Sequence, residues 1–343
     1  MRPWDRPSTR REPPEETMKI LREPVMEKSE YMDLLRQMLL IRRFEEKAAE
    51  MYMRGKIGGF LHLYIGEEAV AVGAISALGP QDYIVSHYRE HGHALARGVE
   101  PRRVMAELFG RSTGTSKGKG GSMHLFDAQR GFLGGYAIVG GMMPIAVGLG
   151  LAAQQQGNDR VTLCFFGDGA VNEGEFHESL NLAALWNLPV VFFCENNGYG
   201  MGSPISDTFA GSDIFRFAPV YGMNTPGKID GMDVFEVMNA TNEAVERARK
   251  GQGPTFIEAI TYRFRGHSMA DPMVYRKKTE EEEWRTKGPI LRMRRHMEEL
   301  GLLDESDMKA LEAEVDEIVE DSVDFADKSP VLPYDAISDD VYA

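Results

Sequence analysis

Residues Gly167–Tyr199 read GDGAVNEGEFHESLNLAALWNLPVVFFCENNGY. The stretch opens with Gly-Asp-Gly after the apolar run VTLCFF and reaches Asn196-Asn197 after a second run, VVFFC. Between Gly169 and Asn196 lie the 26 residues 170–195, room for one helix and one strand. That layout puts a carboxylate, Asp168, and an amide oxygen, Asn197, at the carboxyl ends of two neighbouring parallel strands. Hard cations such as Mg²⁺ take that oxygen set, usually with phosphate oxygens of a ligand. The same edge of an open α/β sheet is where ligands bind. Gly-Asp-Gly and Asn-Asn-Gly are turn formers, and either alone says little. Together, each ending an apolar β run, they point to a metal-held diphosphate. Gly167 and Gly169 allow close approach of backbone to phosphate. A helix starting near Asn172 and Glu173 aims its free N–H groups at the same anion.

Working outward, the pattern alternates strand and helix as a parallel sheet requires. Strands are expected at 160–166 and 189–195, separated by a helix at 173–187. An Ala/Gly-rich helix at 144–156 precedes them. A helix at 233–250 and a strand at Thr255–Tyr262 follow, then a loop at Arg263–Arg276. Upstream, Ser29 reads as the N-cap of a helix of about 25 residues. Leu34, Met38, Ile41, Phe44 and Ala48 form its apolar stripe, and Gly55 marks its end. Helices at 66–78, 91–97 and 101–109 and a strand at Tyr83–Ser86 complete this half. Gly110–Gly121, with Lys117 and Lys119 among glycines, reads as a flexible loop. From Thr279 the chain is charged and helical. The expected architecture is α/β: a flexible arm at 1–28, a parallel-sheet diphosphate-binding domain at 29–275, and a helical extension and tail at 276–343.

Bulk properties narrow the function. The 343 residues carry a formal charge of −14, which argues against a nucleic-acid-binding surface. No apolar run approaches the roughly 20 residues that span a bilayer. The arm holds arginines at 2, 6, 10 and 11 but no apolar segment follows, so it is not a secretory signal. Asp5, Glu12, Glu15 and Glu16 speak against a mitochondrial transit peptide. Cys164 and Cys194 sit in strand-like runs and read as buried free thiols in a reducing compartment. A cytoplasmic location is expected.

Tyr88 and Arg89 follow the strand at 83–86 and so share the ligand edge, where an Arg fork suits diphosphate oxygens. His87, His91 and His93 invite a zinc reading, yet no supporting Cys or His stands at a suitable interval. His267, in RGHSMADP, follows a sheet strand on the ligand side, and His62, in FLHLYIGEEA, has similar standing. GTSKGKG at 114–120 fails as a P-loop because Thr113 precedes it and no Ser/Thr follows Lys119. Gly148, Gly150 and Ala153 match a dinucleotide fingerprint, but inside a helix rather than in a strand-to-helix turn. A NAD-dependent dehydrogenase is therefore the weak rival. A non-catalytic scaffold loses ground because the candidate ligands are all present.

From about residue 29 to the C-terminus the chain resembles the α subunits of thiamine-diphosphate-dependent 2-oxoacid dehydrogenase E1 components. The likeness is carried by HLYIGEEA, SHYREHGHAL, KGKGGSMH, IVGGMMPIAVGLG, the segment quoted first, and RGHSMADP. GHSMADP is closer to the pyruvate type than to the branched-chain or acetoin types. The resemblance implies thiamine diphosphate and Mg²⁺, with Asp168, Asn197 and the Tyr199 carbonyl as metal ligands. It implies Tyr88 and Arg89 on the diphosphate, helped by the backbone of Gly169 and Ala170. It also implies main-chain contacts to the aminopyrimidine from Ala137 and Val139, His267 near the reacting carbon, and His62 facing a small 2-oxoacid. A separate β subunit would complete the site in an α₂β₂ heterotetramer, and the acyl group would pass to a lipoyl arm on an E2 partner. Two departures stand out. DPMVYR lacks the second serine of kinase-controlled members although Ser268 is present, which weighs against phosphorylation control. Ala137 replaces the first glycine of the family stretch, which a backbone contact tolerates if its φ is negative.

Overall fold

The computed structural model describes residues 26–211 and 213–339, so the arm expected at 1–28 lies almost wholly outside the described residues. The strands in chain order are β1 (Tyr83–His87), β2 (Phe132–Tyr136), β3 (Thr162–Gly167), β4 (Val190–Asn196), the two-residue pair β5 (Tyr199–Gly200) and β6 (Ser203–Pro204), β7 (Lys228–Asp230) and β8 (Thr255–Ile260). Six form one parallel sheet in the order β2-β1-β3-β4-β8-β7. β5 and β6 make a small antiparallel ribbon beside the strand ends.

The central strands are continuous apolar runs because helices cover both faces of the sheet. Successive residues alternate between two cores. Leu163, Phe165, Val191, Phe193 and Ile257 join one, and Cys164, Phe166, Phe192, Cys194 and Phe256 join the other. Each fully buried aromatic of these strands contributes about 2–3 kcal/mol of transfer free energy. The second core is closed by helices Met142–Gln156 and Gly174–Leu185. The first is closed by Lys28–Met53, Glu68–Ser76 and Val234–Arg249. Leu311, Val315 and Val319 of the long helix Glu305–Lys328 join that first core too. The C-terminal extension therefore shares its apolar contacts with the N-terminal helix.

Several boundaries differ from the sequence reading. The first helix begins at Lys28, and Glu27, not Ser29, is its N-cap; the Glu30 carboxylate accepts the Glu27 N–H at 2.8 Å. The helix expected at 173–187 starts at Gly174, after a 3₁₀ turn over Asp168–Asn172. β2 has no counterpart among the expected strands because FLGGY carries two glycines and lacks an apolar run. It stands because β1 pairs with it along one edge, with a register shift between Ile84 and Ser86. The glycine loop after residue 110 is tied down by one buried carboxylate. Glu107 accepts backbone N–H groups from Ser116, Gly118, Gly120 and Gly121 at 2.7–3.1 Å. Neither its composition nor its spacing announces that knot.

Candidate functional site

The chain leaves β1 for β2 on one side and returns through β3 on the other, so the strand order diverges between β1 and β3. Parallel α/β sheets open a crevice at such a point, beyond the carboxyl ends of the strands. Here Tyr88 and Arg89 follow β1, Asp168 follows β3, Asn197 follows β4 and Arg263 follows β8. A cavity of about 270 Å³ lies among them, bordered also by Glu67, Val139, Gly169, Ala170, Tyr199 and His267. The expected neighbourhood of Asp168 and Asn197 is present, since β3 and β4 pair with Gly167 opposite Glu195.

Asp168 is buried, and its Oδ2 has no hydrogen-bond partner. Burial pushes its carboxyl up to about 6, against an opposing pull from its own backbone N–H and from Arg263. A buried, unpaired carboxylate oxygen is costly unless a cation answers it. Asn197 beside it is buried; its Oδ1 accepts the Tyr199 N–H at 3.3 Å and its Nδ2 donates to Glu67 at 3.0 Å. Two oxygen ligands bordering one cavity fit a hard divalent cation.

The basic groups are held from behind. Arg89 is buried and donates to the carbonyls of Leu63 and His267, both at 2.8 Å. Burial first, and then Arg263, depresses its guanidinium to about 10, which leaves it charged at neutral pH. Arg263 is also buried; its guanidinium donates to the carbonyls of Arg265 and Met201. Two enclosed arginines at one cavity favour an anion there. The sequence reading missed Arg263, although its place directly after a sheet strand could have flagged it.

Two histidines pack against Tyr88 in tilted and edge-on contacts on one side of the cavity. The His62 ring lies 4.7 Å from that of Tyr88 and 5.1 Å from that of His267. Burial, followed by Arg89, lowers His62 to about 2 and His267 to about 4, so both rings are neutral near pH 7. His267 borders the cavity, whereas His62 stands one layer behind it. Val139 borders the cavity and is exposed, while Ala137 lies beside it, half-buried and outside the positive-φ residues. An alanine at 137 thus suits the local backbone conformation.

The histidines considered for zinc serve other ends. His91 hydrogen-bonds Glu45 at 2.9 Å and Ser122 at 3.0 Å. His87 and His93 both turn Nε2 to the buried carboxylate of Glu195, which also accepts the Tyr64 hydroxyl. His87 Nδ1 accepts the Arg89 N–H at 3.1 Å, so its ring proton sits on Nε2 and is donated to Glu195. A neutral ring in that tautomer cannot offer Nε2 to a metal. Burial alone would raise Glu195, yet His93 and His87 outweigh it and hold the carboxyl well below its usual range. This network supports the β1 turn that carries Tyr88 and Arg89. Glu195 and Glu67 gave no signal in the sequence, because each needs partners brought from far along the chain.

Comparison with known proteins identifies the family of the chain. Residues 36–334 match the family model described as the dehydrogenase E1 component. A pyruvate dehydrogenase E1 component subunit alpha from Rhizobium meliloti (strain 1021) is 48% identical over 305 residues, covering 88% of this chain and 87% of that protein. The subunit of the same name from Rickettsia prowazekii (strain Madrid E) is 43% identical over 317 residues, 92% of this chain and 96% of its own length. That from Porphyra purpurea is 45% identical over 311 residues, covering 88% and 90%. With a match that spans most of the fold and the whole crevice, the chain belongs to the dehydrogenase E1 component family.

Proposed function

We propose that this chain is the α subunit of a pyruvate dehydrogenase E1 component and contributes the diphosphate half of a thiamine-diphosphate site. The observation that carries the reading is the unpartnered Oδ2 of buried Asp168 beside the Asn197 amide. Asp168, Asn197 and the Tyr199 carbonyl hold Mg²⁺. Arg89 and Tyr88 face the diphosphate, assisted by backbone N–H groups of Gly169 and Ala170 and by the N-terminus of helix Gly174–Leu185. Val139 and Ala137 meet the aminopyrimidine through main-chain groups.

Bound thiamine diphosphate supplies the carbon nucleophile and the electron sink for decarboxylating a 2-oxoacid. The chain's own residues fix and neutralise the diphosphate. His267, held neutral at the cavity, can donate a hydrogen bond toward substrate oxygen without adding charge, while His62, expected to face substrate, packs behind it. Arg89 fixes the His267 backbone through its hydrogen bond to that carbonyl.

The site is shared. Val139 and Met201 are exposed large apolar side chains on the cavity border. Ile138 is exposed next to Val139 in sequence, Ile145 and Leu185 on helices Met142–Gln156 and Gly174–Leu185, and Trp186 directly after the second helix. Such a surface suits burial against another chain. We assign it to a β subunit in an α₂β₂ heterotetramer, with the acyl group then passed to a lipoyl-bearing E2. A cytoplasmic location fits the two buried free thiols. Among the described residues no helix is long and apolar enough to cross a membrane.

The test is turnover of pyruvate by the purified chain with thiamine diphosphate and Mg²⁺, with and without a β subunit. Negligible activity alone and full activity on reconstitution are expected. Full turnover by the chain alone would refute the divided site. A panel of pyruvate, branched-chain 2-oxoacids and acetoin on the reconstituted enzyme decides among the members of this family.

A further inference from the structure

We propose that Glu67 is a positioning residue that fixes the orientation of the Asn197 amide and so keeps Oδ1 turned to the cation. This rests on the reading of Asn197 as a metal ligand. A side-chain amide has a donor end and an acceptor end of nearly equal size, and its neighbours decide which faces where. At Asn197 the two neighbours have opposite character. Nδ2 donates to the Glu67 carboxylate at 3.0 Å, and Oδ1 accepts the Tyr199 N–H at 3.3 Å. A flipped amide would set oxygen against carboxylate and N–H against N–H. Both contacts would be lost inside a buried site.

Glu67 is placed for this task by its backbone. Gly66 precedes it with φ +110°, and a Cβ there would collide with the Tyr262 carbonyl, so only glycine lets the chain pass. The next residue, Glu68, takes the structural ion pair with Arg42 at 2.7 Å and the Gly66 N–H at 3.1 Å. Glu67 itself is buried, borders the cavity and turns to Asn197.

The experiment follows Mn²⁺ as the probe ion, by loss of the free-ion EPR signal, on the full chain assembled with its β subunit and thiamine diphosphate. Glu67→Met should weaken Mn²⁺ binding about 10–100-fold, as loss of a partner behind a metal ligand does. Glu67→Gln should stay within about threefold, because its carbonyl accepts the same Nδ2–H. Unchanged binding in Glu67→Met, or equal loss in Glu67→Gln, would overturn the proposal. If Glu67→Met fails to fold, the Asn197→Asp background decides. A carboxylate at position 197 has no amide to orient and would face the carboxylate of Glu67. Adding Glu67→Gln should therefore tighten Mn²⁺ in that background while the wild-type background stays within about threefold. An equal effect in both backgrounds would overturn it. Undiminished Mn²⁺ binding by Asn197→Ala would instead strike the ligand assignment.

Discussion

Glu90 carries its acid in an enclosed place, and its removal should change how stability depends on pH. Its carboxyl is fully buried, against Gly135 of β2; one oxygen accepts the Leu125 N–H at 3.0 Å and the other has no partner. Gly135 of β2 makes room, since a Cβ there would collide with the carboxyl. Burial lifts the group from 4.5 to about 8, against a smaller opposing pull from His91 and the Leu125 N–H. A folded-state pKa above the unfolded one means that the protonated acid favours folding. Its contribution is complete below pH 4.5 and is lost as pH rises through about 8. The rise from 4.5 to about 8 corresponds to about 5 kcal/mol in full, of which about 3–4 kcal/mol falls between pH 5 and pH 8. Glu90→Gln cannot ionise in either state. Its extra amide N–H groups add a cost that does not vary with pH. Urea unfolding of both proteins at pH 5, 6, 7 and 8 therefore isolates the effect as the slope of their difference. The variant should gain about 3–4 kcal/mol on the wild type across that range. A difference that stays flat, or that moves the other way, would refute the reasoning.

Asp168→Asn should abolish Mn²⁺ binding while the metal-free protein keeps its circular dichroism spectrum, because Asp168 stands at a strand end and outside the sheet's apolar layers. Retained cation affinity would remove Asp168 from the metal site. His62 and His267 should both be neutral by ¹⁵N NMR of labelled histidine at pH 6, since burial and then Arg89 depress them to about 2 and about 4. An imidazolium signal from either at that pH would contradict the electrostatics of the cavity. Glu107→Gln should loosen residues 114–121, because one amide oxygen replaces two carboxylate oxygens that accept N–H groups from four residues. The expected loss is about 2–4 kcal/mol, with faster hydrogen exchange confined to that loop; unchanged exchange would dismiss the knot.

Much of the architecture was legible from local pattern. The runs ending at Phe166 and Cys194 are strands because only a sheet covered on both faces buries such runs, and their turn residues fall at the carboxyl edge. The spacing between them therefore already joined Asp168 to Asn197. Leu34 through Ala48 likewise announced a helix with one buried stripe. The glycines of the dinucleotide-like pattern do lie inside helix Met142–Gln156, as their sequence context required. β2 and β7 escaped notice because a two-glycine edge strand and a three-residue strand are held by their neighbours and not by composition.

By itself, then, the order of residues determined the parallel α/β core, the sheet edge that carries the cavity, and the oxygen pair and Arg89 at that edge, all of which follow from periodicity and short-range turn chemistry. Only the tertiary structure decided that Glu195 gathers His87, His93 and Tyr64, that Glu67 meets Asn197, that Arg263 joins Arg89, and that His62 stands behind His267. Those partners all lie more than a hundred residues apart. Burial makes their charges and hydrogen bonds strong, and burial is a property of the packed fold that no local stretch of sequence records.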